Sequence, residues 1–185
     1  MQTILFVEDD ALIRNTFSML LKTEGYEVRT AASGEAALLG DAARSASLIL
    51  LDVGLPGMDG IECAGRLRQM KIRAPIVFIT AFGGSEFVDR ALACRPHAYM
   101  VKPISREQLL PLVRSALTAA ETDRQEQARM QDALNDSRTI SAAVGMLAER
   151  HGWTLEQAFN ALRLMARSES RPIIDLAQEL TSRPQ

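Results

Sequence analysis

Five short apolar runs are spread over the first 120 positions, and four of them lead straight into residues that carry a charge or a hydroxyl. The runs are Ile4-Leu5-Phe6-Val7, Tyr26-Glu27-Val28-Arg29-Thr30, Leu48-Ile49-Leu50-Leu51, Ile76-Val77-Phe78-Ile79 and Ala98-Tyr99-Met100-Val101. Three are almost wholly apolar, the pattern of parallel strands covered on both faces. The second alternates, as an edge strand does. Between the runs lie stretches with helical spacing, such as Ile13, Phe17, Leu20 and Leu21. Five strands alternating with five helices predict an α/β fold with right-handed crossovers.

Open sheets of this kind bind ligands outside the carboxyl ends of their strands. The first run is followed by Glu8-Asp9-Asp10, the third by Asp52, the fourth by Thr80 and the fifth by Lys102-Pro103. All these polar groups therefore converge on one sheet edge. Glu8, Asp9 and Asp52 concentrate like charges, which must bind a cation or suffer raised pKa values. All-oxygen donors with open positions suit Mg2+. A carboxylate that attacks a phosphoryl donor needs such an ion to offset charge repulsion. It also needs a cation and a hydroxyl for the transferred oxygens, and Lys102 and Thr80 are available at the same edge.

A length of 185 residues accommodates one full-sized domain and a smaller one, with 47% hydrophobic and 24% charged residues as in ordinary globular chains. The net charge of −2 gives no basic field over the whole chain. Cys63 and Cys94 lack metal-ligand spacing and fit a reducing cytoplasm. No leader-like segment opens the sequence and no 18-residue apolar stretch occurs, so a cytoplasmic protein without membrane contact is expected.

Ser105 and Gln108 read as a capping box that opens the fifth helix, and Pro111 is expected to kink it. Residues 119–130 are polar and helix-prone. Their best heptad register, Ala116, Ala120, Asp123, Gln127, Met130 and Leu134, has polar residues at two middle positions, which favours a solvated connecting helix over a coiled coil. Three helical patterns follow. The first spans about 134–150, with Ile140, Ala143, Val144 and Leu147 on one face and Gly152 as its stop. A second capping box, Thr154 and Gln157, opens the second. Pro172 opens the third. The reading divides the chain into 1–120, a helical linker at 121–133 and a three-helix domain at 134–185. Nothing beyond residue 120 assembles a nucleophile, base or metal cluster, so an enzymatic output is not expected.

The segments at 4–10 (Ile-Leu-Phe-Val-Glu-Asp-Asp), 50–60 (Leu-Leu-Asp-Val-Gly-Leu-Pro-Gly-Met-Asp-Gly), 79–81 (Ile-Thr-Ala) and 99–103 (Tyr-Met-Val-Lys-Pro) closely resemble the receiver domains of response regulators. The resemblance covers residues 1 to about 120 and implies a five-stranded, doubly wound, flavodoxin-like sheet. It implies Asp52 as phosphoacceptor, phosphorylated by a sensor histidine kinase. It implies Asp9 as a direct Mg2+ ligand, Glu8 acting through water, and the Gly54 carbonyl completing the site. Asp10 takes a lesser role. Lys102 would pair with the phosphoryl group, Thr80 would hydrogen-bond to it with Ala81 alongside, and Tyr99 would be the switch aromatic. Pro103 would follow Lys102 as a cis-proline. At most, such a domain removes its own phosphoryl group. Asp59 reads as the cap of the third helix, and His97 and His151 as exposed or packed rather than catalytic.

The runs 137–153, 158–167 and 174–177 resemble the ANTAR module, a three-helix RNA-binding output domain that promotes transcription antitermination. The resemblance implies an RNA face of Ala143, Gly145, Arg150, Ala158, Arg163 and Ala166, with small residues admitting the nucleic acid and arginines contacting phosphates or bases. The chain departs from the family's usual lysine at Val144 and frequent methionine at Ala148. Residues 121–185 carry eight Arg and no Lys against ten acids, while 138–171 carry five Arg against three Glu. The expected partners are RNA hairpins and, on phosphorylation, a second copy of the chain. Two alternatives stay open. One is an adaptor whose tail docks protein or mediates dimerisation, anchored by Trp153 and Phe159. The other is a helix-turn-helix DNA binder, for which the loop 167–171 is long.

Overall fold

The computed structural model of the chain describes residues 1–81, 90, 91 and 93–182. The helix expected between the fourth and fifth strands falls largely outside the described residues. Two compact units are present, Met1–Thr122 and Asp123–Gln185.

The first unit holds β1 (Thr3–Val7), α1 (Ala11–Thr23), β2 (Glu27–Ala31), α2 (Gly34–Leu39), α3 (Ala42–Ser45), β3 (Leu48–Asp52), α4 (Gly60–Gln69), β4 (Ile76–Thr80) and β5 (Ala98–Val101). The strands form one parallel sheet in the order β2-β1-β3-β4-β5. Every residue of β1, β3 and β4 is buried, while β2 and β5 are partly exposed. The apolar runs follow from this layering. Leu5, Val7, Ile49, Leu51, Ile76 and Phe78 face one core, shared with Ala37, Ala43, Cys63, Ala64 and Leu67. Their alternates Ile4, Phe6, Leu48, Leu50, Val77 and Ile79 face the other, shared with Leu21, Leu109 and Val113. A strand buried on both faces has no polar side to display. The sequence between β2 and β3, read as one helix, forms two short ones, α2 and α3.

The helix α5 (Arg106–His151) is continuous over 46 residues. The fifth helix, the linker and the first output helix, read as separate pieces, are therefore one element. Between Pro111 and Gly152 the segment contains no proline and a single glycine, Gly145, whose cost in a helix is small enough for the helix to continue through it. The helix runs through Pro111 without a break. Residues 121–138 are exposed throughout, including Met130 and Leu134 of the heptad register. Ser105 and Gln108 make the expected reciprocal cap.

The second unit contains the end of α5, α6 (Leu155–Ser168) and α7 (Ile173–Ser182). Gly152 takes φ +65°, and the Trp153 N–H donates to the Ala148 carbonyl at 3.0 Å, which terminates α5 as a left-handed C-cap does. Thr154 and Gln157 form the capping box of α6. Pro172 stands one residue before α7 rather than inside it. The core of this unit is Ala143, Val144, Leu147, Ala158, Leu162, Ala166, Leu176 and Ala177. Three short helices can be held together here because alanines at the contacts let the backbones approach closely. No described helix is long and apolar enough to cross a membrane.

Candidate phosphoacceptor and RNA-binding sites

The sheet order reverses between β1 and β3, so the residues after β1 and at the end of β3 meet at the crevice where such sheets bind ligands. Glu8, Asp9 and Asp52 each place a carboxylate oxygen there within 4.8 Å of one another. Glu8 and Asp52 are buried, and Asp9 is exposed. The Lys102 ammonium, carried in from the end of β5, donates to Asp52 Oδ2 at 2.7 Å and to Glu8 Oε1 at 3.1 Å. Glu8 Oε2 is ion-paired with the same ammonium at 2.9 Å and, among the described residues, is a buried side-chain oxygen with no hydrogen bond. Burial pushes the Glu8 carboxyl up to about 7, with the Asp52 charge adding to the rise and Lys102 opposing it. For Lys102 burial works downward, but its bonds to Asp52 and Glu8 prevail and its pKa is raised.

The loop after Asp52 is held at several points. The Gly54 N–H donates to Asp52 Oδ1 at 3.1 Å, and the Gly60 N–H closes the loop onto the Val53 carbonyl at 3.0 Å. A Cβ at Gly60 would overlap the Asp52 backbone, so this close approach requires glycine. Asp59 caps α4 through the Glu62 N–H, as expected. Two tethers were not apparent from the sequence. Arg14 donates to the Glu8 and Asp9 carbonyls at 2.6 and 2.9 Å. Glu35 of α2 accepts from the Met58 N–H at 3.1 Å. Asp10 has a structural part: its carboxylate caps α1 through the Leu12 and Ile13 N–H groups.

Thr80 is buried at the end of β4, and its carbonyl accepts from the Lys102 N–H at 2.7 Å. Ala81 follows it and is exposed. Tyr99 lies on β5 opposite Phe78 and is 54% exposed, so its ring faces solvent in this state. The Lys102–Pro103 bond is cis. His97 and His151 are both exposed.

In the second unit the expected RNA face is corrected. Ala143 and Ala158 are fully buried and Ala166 nearly so, because these positions carry the helix–helix contacts. They present almost no surface while the unit is folded. Gly145 is half-buried, with open space where a Cβ would stand, and Arg150 and Arg163 are exposed. Val144 is also core.

A parallel sheet with an acidic switch-point pocket and a lysine across it defines a receiver. Residues 4–114 match the response regulator receiver domain, and residues 128–180 match the ANTAR domain. The chain belongs to the response regulators, with a receiver domain followed by an ANTAR output domain. It is 35% identical over 170 residues to the transcriptional regulatory protein PdtaR of Mycobacterium tuberculosis, covering 88% of this chain and 81% of that protein. Among solved structures it is similar to the chemotaxis protein CheY4 of Vibrio cholerae, at 31% identity and a TM-score of 0.60, over 63% of this chain and 98% of that one. It is also similar to the response regulator TrrA of Thermotoga maritima, solved with Mg2+ and BeF, at 34% identity and a TM-score of 0.56, over 63% and 99%.

Proposed function

We propose that Asp52 is the phosphoacceptor of a regulator whose ANTAR domain binds RNA hairpins and promotes antitermination. The observation that carries the first half is the meeting of three carboxylates with one half-buried lysine. The pocket fits a divalent cation: its carboxylates are crowded, and Glu8 Oε2 is buried with no hydrogen bond beyond its ion pair with Lys102. Glu8, Asp9, Asp52 and the Gly54 carbonyl would hold Mg2+. When bound, the ion offsets the charge of the incoming phosphoryl oxygens.

Transfer comes from a sensor histidine kinase. An Asp52 carboxylate oxygen forms the new bond to phosphorus while the bond to the kinase's histidine nitrogen breaks, and the electron pair returns to that nitrogen. Lys102 exchanges its contact with Asp52 for the phosphoryl oxygens. Thr80 donates its hydroxyl to them, with Ala81 beside it, and Tyr99 leaves solvent as Thr80 moves. Phosphorylation thus shifts the receiver between two states. Pairing of two copies then raises RNA affinity through effective concentration. Arg150 and Arg163, both exposed, form the remainder of the RNA face with half-buried Gly145.

Two measurements test this. Acetyl phosphate with Mg2+ should label the wild type and not Asp52→Ala; equal labelling of the variant removes the assignment. An RNA with two adjacent hairpin loops should bind more tightly when beryllofluoride and Mg2+ are present, and less tightly to Arg163→Ala. Absence of RNA binding in both states, even at low salt, would redirect the output domain to a protein partner.

A further inference from the structure

We propose that the stacked His151–Trp153 pair at the turn between α5 and α6 is a stacking platform for an unpaired base of an RNA loop. This deepens the RNA-binding reading and rests on it. The two rings lie 4.4 Å apart, centroid to centroid, at 20° to one another. Both residues are exposed, Trp153 by 37%, and neither belongs to the buried cluster of the second unit. Trp153 is the only tryptophan of the chain. The indole is stacked on an imidazole at the surface.

The backbone on both sides of the indole is fixed. Before it, Gly152 adopts φ +65° and the Trp153 N–H is bonded to Ala148. After it, Thr154 and Gln157 close their capping box, with bonds of 2.9 and 3.2 Å. A platform already ordered in the free protein loses little conformational entropy on binding. Near-parallel aromatic rings at this separation have the geometry in which a nucleobase extends a stack, and any base has the required π-face. Bases inside a duplex are already stacked, so the ligand is a splayed loop base and not a helix. Arg150, the residue before His151, is exposed and supplies a cation next in sequence to the stack for a neighbouring phosphate. Glu149 and Glu156 flank the same turn. They weaken long-range attraction to phosphates, which moves the balance of affinity toward stacking and makes the salt dependence shallow.

The full-length protein, with beryllofluoride and Mg2+, is titrated with a two-hairpin RNA whose loops are adenine-rich, and with the same RNA carrying abasic loop residues. Trp153 emission and RNA anisotropy are followed in separate samples. The adenine loops are expected to quench Trp153, and the abasic loops to leave its emission unchanged. Trp153→Leu should weaken binding about 5- to 150-fold, the range for loss of one base–aromatic stack, while Trp153→Tyr stays close to wild type. Because quenching is read on the wild type, the test does not depend on how a variant folds. RNA binding by anisotropy with unchanged Trp153 emission and an unchanged Trp153→Leu affinity overturns the platform and leaves the RNA-binding reading standing. No change of anisotropy with either RNA at low salt overturns both.

Discussion

The Lys102 ammonium lies 2.7 Å from Asp52 Oδ2 and reaches Glu8 with the same group. One cation thus offsets two buried carboxylates in a pocket that contains a third, and on the proposed mechanism it is the group that receives the phosphoryl oxygens. Replacing it removes a preorganised positive charge from a site of low polarity. Lys102→Ala is expected to slow labelling of Asp52 by acetyl phosphate roughly a hundredfold. A rate within a factor of two of wild type would show that the lysine only fills space.

Glu8 makes the ion-free protein sensitive to pH. Its folded pKa of about 7 lies above the ordinary 4.5, so the folded state holds this proton more tightly than the unfolded chain. The corresponding stability is fully present below about pH 4.5 and is lost as pH rises through about 7. In EDTA, melting temperature should fall between pH 6 and pH 8, and Glu8→Gln should flatten that fall. Mg2+ should restore stability at pH 8, where the carboxylate is charged. An identical pH slope in the variant would assign the effect to other groups.

Glu35 ties α2 to the loop that carries Gly54. Its hydrogen bond to Met58 crosses 23 residues of sequence, and such a bond contributes about 1 kcal/mol. Glu35→Ala should free the loop and weaken Mg2+ binding by about fivefold, read by isothermal titration. Glu35→Gln keeps an acceptor and should recover most of the affinity. Equal weakening in both variants would mean that charge, not the tether, is responsible.

Ala158 and Arg163 lie five residues apart on α6 with opposite fates. Ala158 is fully buried, so Ala158→Leu overfills the core and should cost about 1–3 kcal/mol of stability. Arg163→Ala should leave the melting temperature unchanged and weaken RNA binding. If Ala158→Leu melts as the wild type does and still loses RNA, the alanine is a contact after all.

Buried Cys63 has its thiol pushed up to about 11 by burial. Native protein at pH 8 should therefore resist alkylation at this position, and denaturation should expose it. Rapid native labelling at Cys63, mapped by mass spectrometry, would contradict the packing around α4.

Much of the receiver was legible in order along the chain. A strand buried on both faces must be apolar throughout, and the residue after its last apolar position must stand at the sheet edge. Glu8, Asp52, Thr80 and Lys102 therefore announced themselves by position. The capping boxes at Ser105 and Thr154 were equally local, since a cap is written within four residues. What the sequence alone determined was periodicity and its punctuation: the strand runs, the helix starts, the stop at Gly152 and the alternation that makes an α/β unit. Tertiary structure decided the rest. A stripe of alanines at helical spacing suits a close helix contact or an approaching nucleic acid equally well, and only the packing of α5, α6 and α7 assigned Ala143, Ala158 and Ala166 to the core. The bonds of Glu35 to Met58 and of Arg14 to the acidic turn depend on the paths of loops, which no local pattern encodes. The receiver helix, linker and output helix run as one element through both Pro111 and Gly145, and the stack of Trp153 on His151 follows from where two helix ends leave the chain between them.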